Sequence, residues 1–184
     1  MSTETSKAQD VVTASLVTNQ GGGEAASAGG VYWVTCIGPD GQVKWSDDFH
    51  NLVVNEGLQD MNNKYFRSSG YTTALYLGLV SGATSPTYAA ADTLSSHAGW
   101  TESTAYSNAT RPQAVFGTPT ATSSISSSQA TFNINAIATI AGAFLVNNST
   151  KGGTTGTLYS AGSFATSRVV ISGDSLLVTY TASA

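Results

Sequence analysis

From residue 113 onward the chain breaks into short apolar runs at regular spacing, each closed by a turn signal. No other feature confines the fold as tightly. The runs cover residues 113–117, 128–135, 138–146, 157–160, 167–171 and 175–181. Between them stand Gly117-Thr118-Pro119, Asn147-Asn148, Gly152-Gly153 and Gly173-Asp174, residues that supply the φ values and side-chain bonds turns require. In the last run Leu176, Val178 and Tyr180 alternate with Leu177, Thr179 and Thr181, the pattern of a half-buried strand. Short strands at this spacing predict a mainly β domain, an antiparallel β-sandwich or jelly roll.

The first part of the domain fits the same architecture. Residues 31–37 and 43–49 flank Gly38-Pro39-Asp40-Gly41, a hairpin signal with Pro at the first central turn position. On the first strand Val31, Trp33, Thr35 and Ile37 share a face opposite Tyr32, Val34 and Cys36. On the second, Val43, Trp45, Asp47 and Phe49 alternate with Lys44, Ser46 and Asp48. The expectation is a cross-strand Trp33–Trp45 pair, both indoles serving packing, worth about 0.5–1 kcal/mol. Next, Val54, Leu58, Met61 and Tyr65 recur at helical spacing and predict one short helix to Phe66, plugging one end of the sandwich. Asn51 or Asn55 is its expected cap. Gly57 costs that helix about 1 kcal/mol unless close packing on the sheet requires it.

Residues 75–80 (LYLGLV) form an apolar run of strand length, and a long, nearly uncharged loop follows over residues 90–112. Trp100 is its expected anchor, because a solvated linker gains nothing from exposing an indole. The order of segments is hairpin, NLVVNEGL helix, LYLGLV strand, ADTLSSHAGWTE loop and YSNATRP. This order, from Val31 to the C-terminus, resembles small virion structural proteins encoded by tailed bacteriophages. The resemblance implies a particle component rather than an enzyme: a capsid decoration or cement protein that binds and stabilises the assembled head. Its partners would be the phage major capsid protein and neighbouring copies of itself, in a multimeric array on the capsid exterior. A tail component (tube, fibre or adhesin) is the alternative, although the chain contains no internal repeat. A carbohydrate-binding module is the second alternative.

Composition narrows the partners. Only 10% of residues are charged, against about 25% in an average soluble domain, so hydroxyls rather than ions solvate the surface. Seven scattered Lys and Arg under a net charge of −4 form no cluster for neutralising phosphates, so direct nucleic-acid binding is not expected. No apolar run approaches the roughly 20 residues of a spanning helix, and no export signal is recognisable, so the expectation is a product of the host cytoplasm without a membrane anchor. A lone Cys36, inside an apolar strand, reads as a small inert hydrophobe. Residues 1–30 are poor in large apolar side chains and end in glycines, which predicts a flexible arm ahead of a single domain over residues 31–184. Within that arm Val11, Val12, Leu16 and Val17 could add a strand to a partner's sheet edge. They are candidate contacts, together with Asp92, His97, Trp100, Glu102 and Arg111 of the long loop.

Reactive chemistry is sparse. Asp48 and His50 lie on one side of a strand, but two ligands do not make a metal site. Asp92 and His97 with one of many serines evoke a triad, yet no Gly-x-Ser-x-Gly elbow occurs. Asp92 and Glu102 supply two carboxylates of the kind glycoside hydrolysis uses, and either one could instead pair with Arg111. Residues 152–156 (GGTTG) lack the Lys-Ser/Thr of a phosphate loop and read as a hairpin tip with Lys151 solvated beside it. No catalytic residue, cofactor or metal is expected.

Overall fold

The computed structural model describes residues 28–67, 69–70, 74–119 and 124–183. The arm candidates Val11, Val12, Leu16 and Val17 lie outside the described residues. In chain order the elements are β1 (Gly29–Ile37), β2 (Val43–His50), β3 (Leu52–Val53), α1 (Asn55–Phe66), β4 (Leu75–Ser81), β5 (Glu102–Ser103), β6 (Gln113–Ala114), β7 (Ser124–Ser126), β8 (Ala130–Asn133), β9 (Ala138–Val146), β10 (Leu158–Val170) and β11 (Ser175–Ser183). The protein is mainly β, with two antiparallel sheets packed face to face and, among the described residues, one short helix. One sheet has the order β2-β1-β11, with β7 and β8 both pairing along β11. In the other, the order is β3-β10-β9-β4, with β5 and β6 both on β4.

The inward faces of the two sheets form one core. It includes Tyr32, Val34, Cys36, Leu176, Val178 and Tyr180 from the first sheet and Leu77, Leu79, Ala143 and Leu145 from the second. Two buried tyrosines bridge the sheets through their hydroxyls, which must find partners once removed from water. Tyr32 shares a 2.8 Å hydrogen bond with the Ser160 hydroxyl, and Asn51 Nδ2 donates to the Tyr180 hydroxyl at 2.9 Å. Burial pushes both phenols well above their usual pKa.

The hairpin forms as its turn residues dictate. Gly41 adopts φ 78°, its N–H donates to the Gly38 carbonyl, and Asp40 Oδ1 accepts from the Gln42 N–H. The register, however, shifts between Cys36 and Ile37. One extra residue there swaps which face each β2 side chain meets. Trp45 therefore stands opposite Cys36, and Trp33 stands opposite Asp48. The expected indole pair does not form. Trp45 faces inward and meets Phe164 edge-on at 5.6 Å, while Trp33 faces out and is 52% exposed.

Two runs read as separate strands, 157–160 and 167–171, belong to the single long strand β10. Its ladder with β9 jumps from the pair Ser163–Gly142 to the pair Arg168–Ile140. The bulged residues turn Phe164 inward, where its ring lies 4.8 Å from Phe49. Beyond the bulge Arg168 Nη2 reaches Asp47 Oδ2 at 2.7 Å and clamps β2 to β10.

The helix also departs from expectation. Its only buried residue is Gly57. A Cβ there would collide with the Tyr159 carbonyl oxygen, so the glycine is what lets the helix lie against the backbone of β10. Neither asparagine caps it. Asn51 is spent on Tyr180, and Val54 occupies the cap position without a side-chain bond. Glu56 instead turns back to accept from the Leu158 N–H at 2.9 Å. Of the predicted stripe, Val54 is buried in the outer core of the second sheet, Leu58 and Met61 are partly exposed with Met61 meeting the Tyr159 hydroxyl, and Tyr65 is open to solvent, so the stripe does not plug the sandwich.

Candidate functional site

The second sheet is buried on both faces, which explains the unbroken apolar character of β4 and β9. Its outer face, with Val80, Phe144, Val146, Leu158 and Ala161, carries a second core completed by Val54, Leu94 and Trp100. The long loop is thus a third layer laid over the sheet. Gly78 makes room for it, because any Cβ there would occupy the position of the Phe144 ring. With Phe144 seated in that space, the Trp100 ring packs 5.1 Å from it.

Trp100 is 2% exposed. Its Nε1 donates to Asp92 Oδ2 at 3.0 Å, and the same carboxylate oxygen accepts from the Ala89 N–H at 3.1 Å. His97 stacks on the indole at 3.9 Å between centroids, and its Nδ1 donates to the Trp100 carbonyl at 3.0 Å. Asp92 therefore orients Trp100 rather than His97, and the imagined triad has no acid–histidine link. The two residues adjacent in function are the indole and the carboxylate.

Farther along the loop, Glu102 takes Arg111, the choice that sequence alone left open. Arg111 Nε and Nη2 donate to Glu102 Oε1 and Oε2 at 2.9 and 2.7 Å, a two-pronged ion pair. The guanidinium also donates to the carbonyls of Asn148 and Gly153, and it lies 5.1 Å from the Phe144 ring centre. Arg111 is 1% exposed, so its charge is neutralised and its donors are shared inside the fold. The Gly152 N–H closes the clasp by donating to Glu102 Oε2 at 2.9 Å.

Lys151 corrects a further expectation. The β9–β10 connection is not a free hairpin tip. Lys151 Nζ donates to the carbonyls of Tyr106 and Asn108, both at 2.8 Å, and stands 4.6 Å from the Tyr106 ring centre. A cavity of about 190 Å³ remains between the clasp and the indole, lined by Leu94, His97, Trp100, Glu102, Arg111 and Phe144 among others. Every polar side chain of this constellation has an identified structural partner, so what it does chemically is fix the path of the loop. Sequence reading named Asp92, His97, Trp100, Glu102 and Arg111 as candidate partner contacts. The structure brings them together within the loop, with Trp100 and Arg111 buried. It adds Phe144, Gly78 and Lys151, which sequence reading did not single out for this role. The glycine inside LYLGLV was the available signal.

Asp47, Asp48 and His50 do not converge. Asp47 holds Arg168, and no group of three His, Cys, Asp or Glu side chains among the described residues could hold a metal ion. No helix among the described residues is long and apolar enough to cross a membrane.

The surfaces left open lie elsewhere. The outward face of β1 and β11 presents Val31, Trp33, Thr35, Ile37, Leu177, Thr179 and Thr181, with no charged residue on either strand's outer face. Beside Trp33, toward Ser46 and Asp48, lies a shallow depression of about 150 Å³. The side of α1 that carries Tyr65 and Phe66 is another exposed apolar surface among the described residues. No protein-family model matches the chain, and no curated protein matches it.

Proposed function

We propose that this is a non-enzymatic structural protein of a tailed-phage virion, a decoration protein that binds the assembled head and stabilises it. The observation that carries the reading is the uncharged outer face of β1 and β11, centred on the half-exposed Trp33. A sheet face built of threonines, aliphatic side chains and one indole loses little hydration energy when covered, since no ion has to be stripped of water. Aromatic side chains at the centre of such a patch supply a large share of contact energy. The resemblance of the segment order to virion proteins supports the choice of partner, the phage major capsid protein together with neighbouring copies. Binding to the assembled shell but not to its separated parts stabilises the shell by mass action. Many modest contacts then add up on a symmetric lattice.

The test uses capsids stripped of the protein and refilled with it. Refilled capsids should withstand higher temperature in proportion to occupancy, and Trp33→Ala protein should fill them poorly while melting like the wild type. If refilled and stripped capsids burst at the same temperature, the stabilising role is wrong.

A second reading has its own observation. An exposed indole beside the hydroxyls of Thr35 and Ser46 and the carboxylate of Asp48 also suits the face of a sugar ring. Calorimetric titration with host surface polysaccharide separates the two. Binding that vanishes with Trp33→Ala, on protein located at the tail by gold labelling, would favour an adhesin.

A further inference from the structure

We infer that the depression beside Trp33 is a socket for a guanidinium: the protein that covers this face inserts an arginine side chain between the Trp33 indole and the Asp48 carboxylate. The inference rests on the reading of the β1–β11 face as a protein contact surface, but not on which particle supplies that protein. Trp33 and Asp48 are direct partners in the β1–β2 ladder and share its outer face. Opposed side chains of this kind have Cβ atoms about 4.5–5.5 Å apart, a gap that one planar cation spans by lying on the ring with its edge to the carboxylate. Trp33 is half-exposed and Asp48 is exposed. No Lys, Arg or His among the described residues pairs with the Asp48 carboxylate. The rest of the depression is already satisfied. The Thr35 and Ser46 hydroxyls bond to each other at 3.0 Å, and the Asp47 carboxylate is taken by Arg168.

The same strand shows what such a pair holds. On the opposite face of β2, Trp45 and Asp47 already grip a guanidinium. Arg168 Nη2 donates to Asp47 Oδ2 at 2.7 Å, and its Cζ lies 5.8 Å from the Trp45 ring centre. Trp33 and Asp48 repeat that combination on the outer face without the cation. Covering them therefore fixes the chemistry of the cover. A partner seated on the indole takes the neighbouring carboxylate out of water, and a carboxylate desolvated without a counter-charge is strongly unfavourable. A second copy does not offer the arginine, since Arg67, Arg111 and Arg168 are each bonded within the chain. The net charge of −4 favours a basic partner instead. A guanidinium suits the site better than an ammonium because it is flat, weakly hydrated and presents two parallel N–H groups to a carboxylate.

Nuclear magnetic resonance titration of the full chain reads the socket without any particle. The Trp33 indole N–H signal, assigned with Trp33→Phe, is followed against N-acetyl-arginine amide, its uncharged isostere N-acetyl-citrulline amide, and methyl glucoside. The arginine compound should give a saturable shift with a dissociation constant on the order of millimolar, and the other two none. Asp48→Asn should weaken that binding at least about threefold and leave the melting temperature unchanged, because the carboxylate has no partner to lose. No saturable shift with the arginine compound, an equal one with citrulline, or an affinity untouched by Asp48→Asn overturns the inference. Saturation by the glucoside alone also overturns it and gives the depression to a sugar. On stripped capsids, Asp48→Lys should abolish filling. Capsids filled as fully by Asp48→Lys as by the wild type, yet poorly by Trp33→Ala, would keep the particle reading and overturn the socket. A saturable arginine shift in a protein that no capsid binds would support the socket and remove only the particle reading.

Discussion

Replacing Trp100 tests whether the long loop is a third structural layer or a decoration of the second sheet. The indole is 2% exposed and touches Phe144, Tyr88 and His97, so truncation to alanine removes nearly a whole buried aromatic. Such truncations cost about 3–5 kcal/mol, the spread reflecting how far the surroundings collapse. Collapse is restricted here. Phe144 is fixed by the close approach of Gly78 on one side and by the guanidinium of Arg111 on another. The upper half of the range is therefore expected. Trp100→Phe isolates the remaining contribution. It keeps most of the packing and loses only the Nε1–Asp92 bond, a hydrogen bond to a charged group worth about 1.5–3 kcal/mol. The lower end applies, because Asp92 is half-exposed and keeps the Ala89 N–H, so water can replace the lost donor. Urea denaturation followed by circular dichroism measures both variants. Trp100→Ala should lower the thermal midpoint by roughly 8–20 °C, at about 2–4 °C per kcal/mol for a domain of this size. A smaller denaturant slope in Trp100→Ala would mean that the loop peels off before the sheets unfold. A loss below about 1 kcal/mol for alanine, or phenylalanine as damaging as alanine, would refute the layer argument.

Three other outcomes follow from single contacts. Burial alone would raise the Asp174 carboxyl, but Lys44 and the Ile171 N–H outweigh it and hold the group below its usual pKa. That contribution to stability is complete above the unfolded carboxylate range near pH 4 and is lost as pH falls through the lower folded value. Asp174→Asn should accordingly flatten the acid limb of melting temperature against pH, and an unchanged limb would contradict it. Burial, with Asp174 second, pushes the Cys36 thiol up to about 11, so it should resist alkylation at pH 8 in native protein and react on unfolding. Rapid labelling of the folded chain would show the strand open. Gly57→Ala should destabilise by about 1–3 kcal/mol despite its better helix propensity, because the Cβ meets the Tyr159 backbone. A stabilised variant in chemical denaturation would mean the helix does not rest on β10 as described.

Local chemistry made some parts of this fold readable from sequence and hid others. The Pro39-Asp40-Gly41 turn announced the hairpin, and β9 has the bounds its apolar run predicted, because each depends only on neighbouring residues. A one-residue bulge at Cys36–Ile37 leaves no signature in the alternation on either side, yet it decides which face Trp45 takes. The β10 strand looked like two because residues 161–167 (AGSFATS) contain a glycine and small polar residues that blur period two. Helical periodicity located α1 but could not say that its closest approach to the sheet is made by a glycine, with only Val54 and Met61 of the stripe in contact and Tyr65 left exposed. The loop was legible as a set of residues that must be anchored. Where it lies was not, since Trp100 meets Phe144 and Arg111 meets Asn148 and Gly153 across long sequence separations.

The few charges of this chain have a use that bears on its open surfaces. Among the described residues, three ion pairs join segments distant in space or sequence: Lys44 with Asp174, Glu102 with Arg111, and Asp47 with Arg168. Each fastens a place where packing alone is thin, namely the hairpin to the β10–β11 turn, the loop to itself, and the sheet edge to the bulge. The β2 edge gains a second benefit, because a charged clamp discourages pairing with strands of other chains. Ions employed as joints are not available as a solvating coat, and threonine and serine take over that task on the outer sheet face. Hydroxyls can exchange water for a partner's polar groups at small cost, whereas a bare lysine or aspartate would have to be neutralised first. A sheet face that carries no charge of its own, as the outer face of β1 and β11 does, is therefore prepared to be covered. In the proposed function the particle is what covers that sheet face.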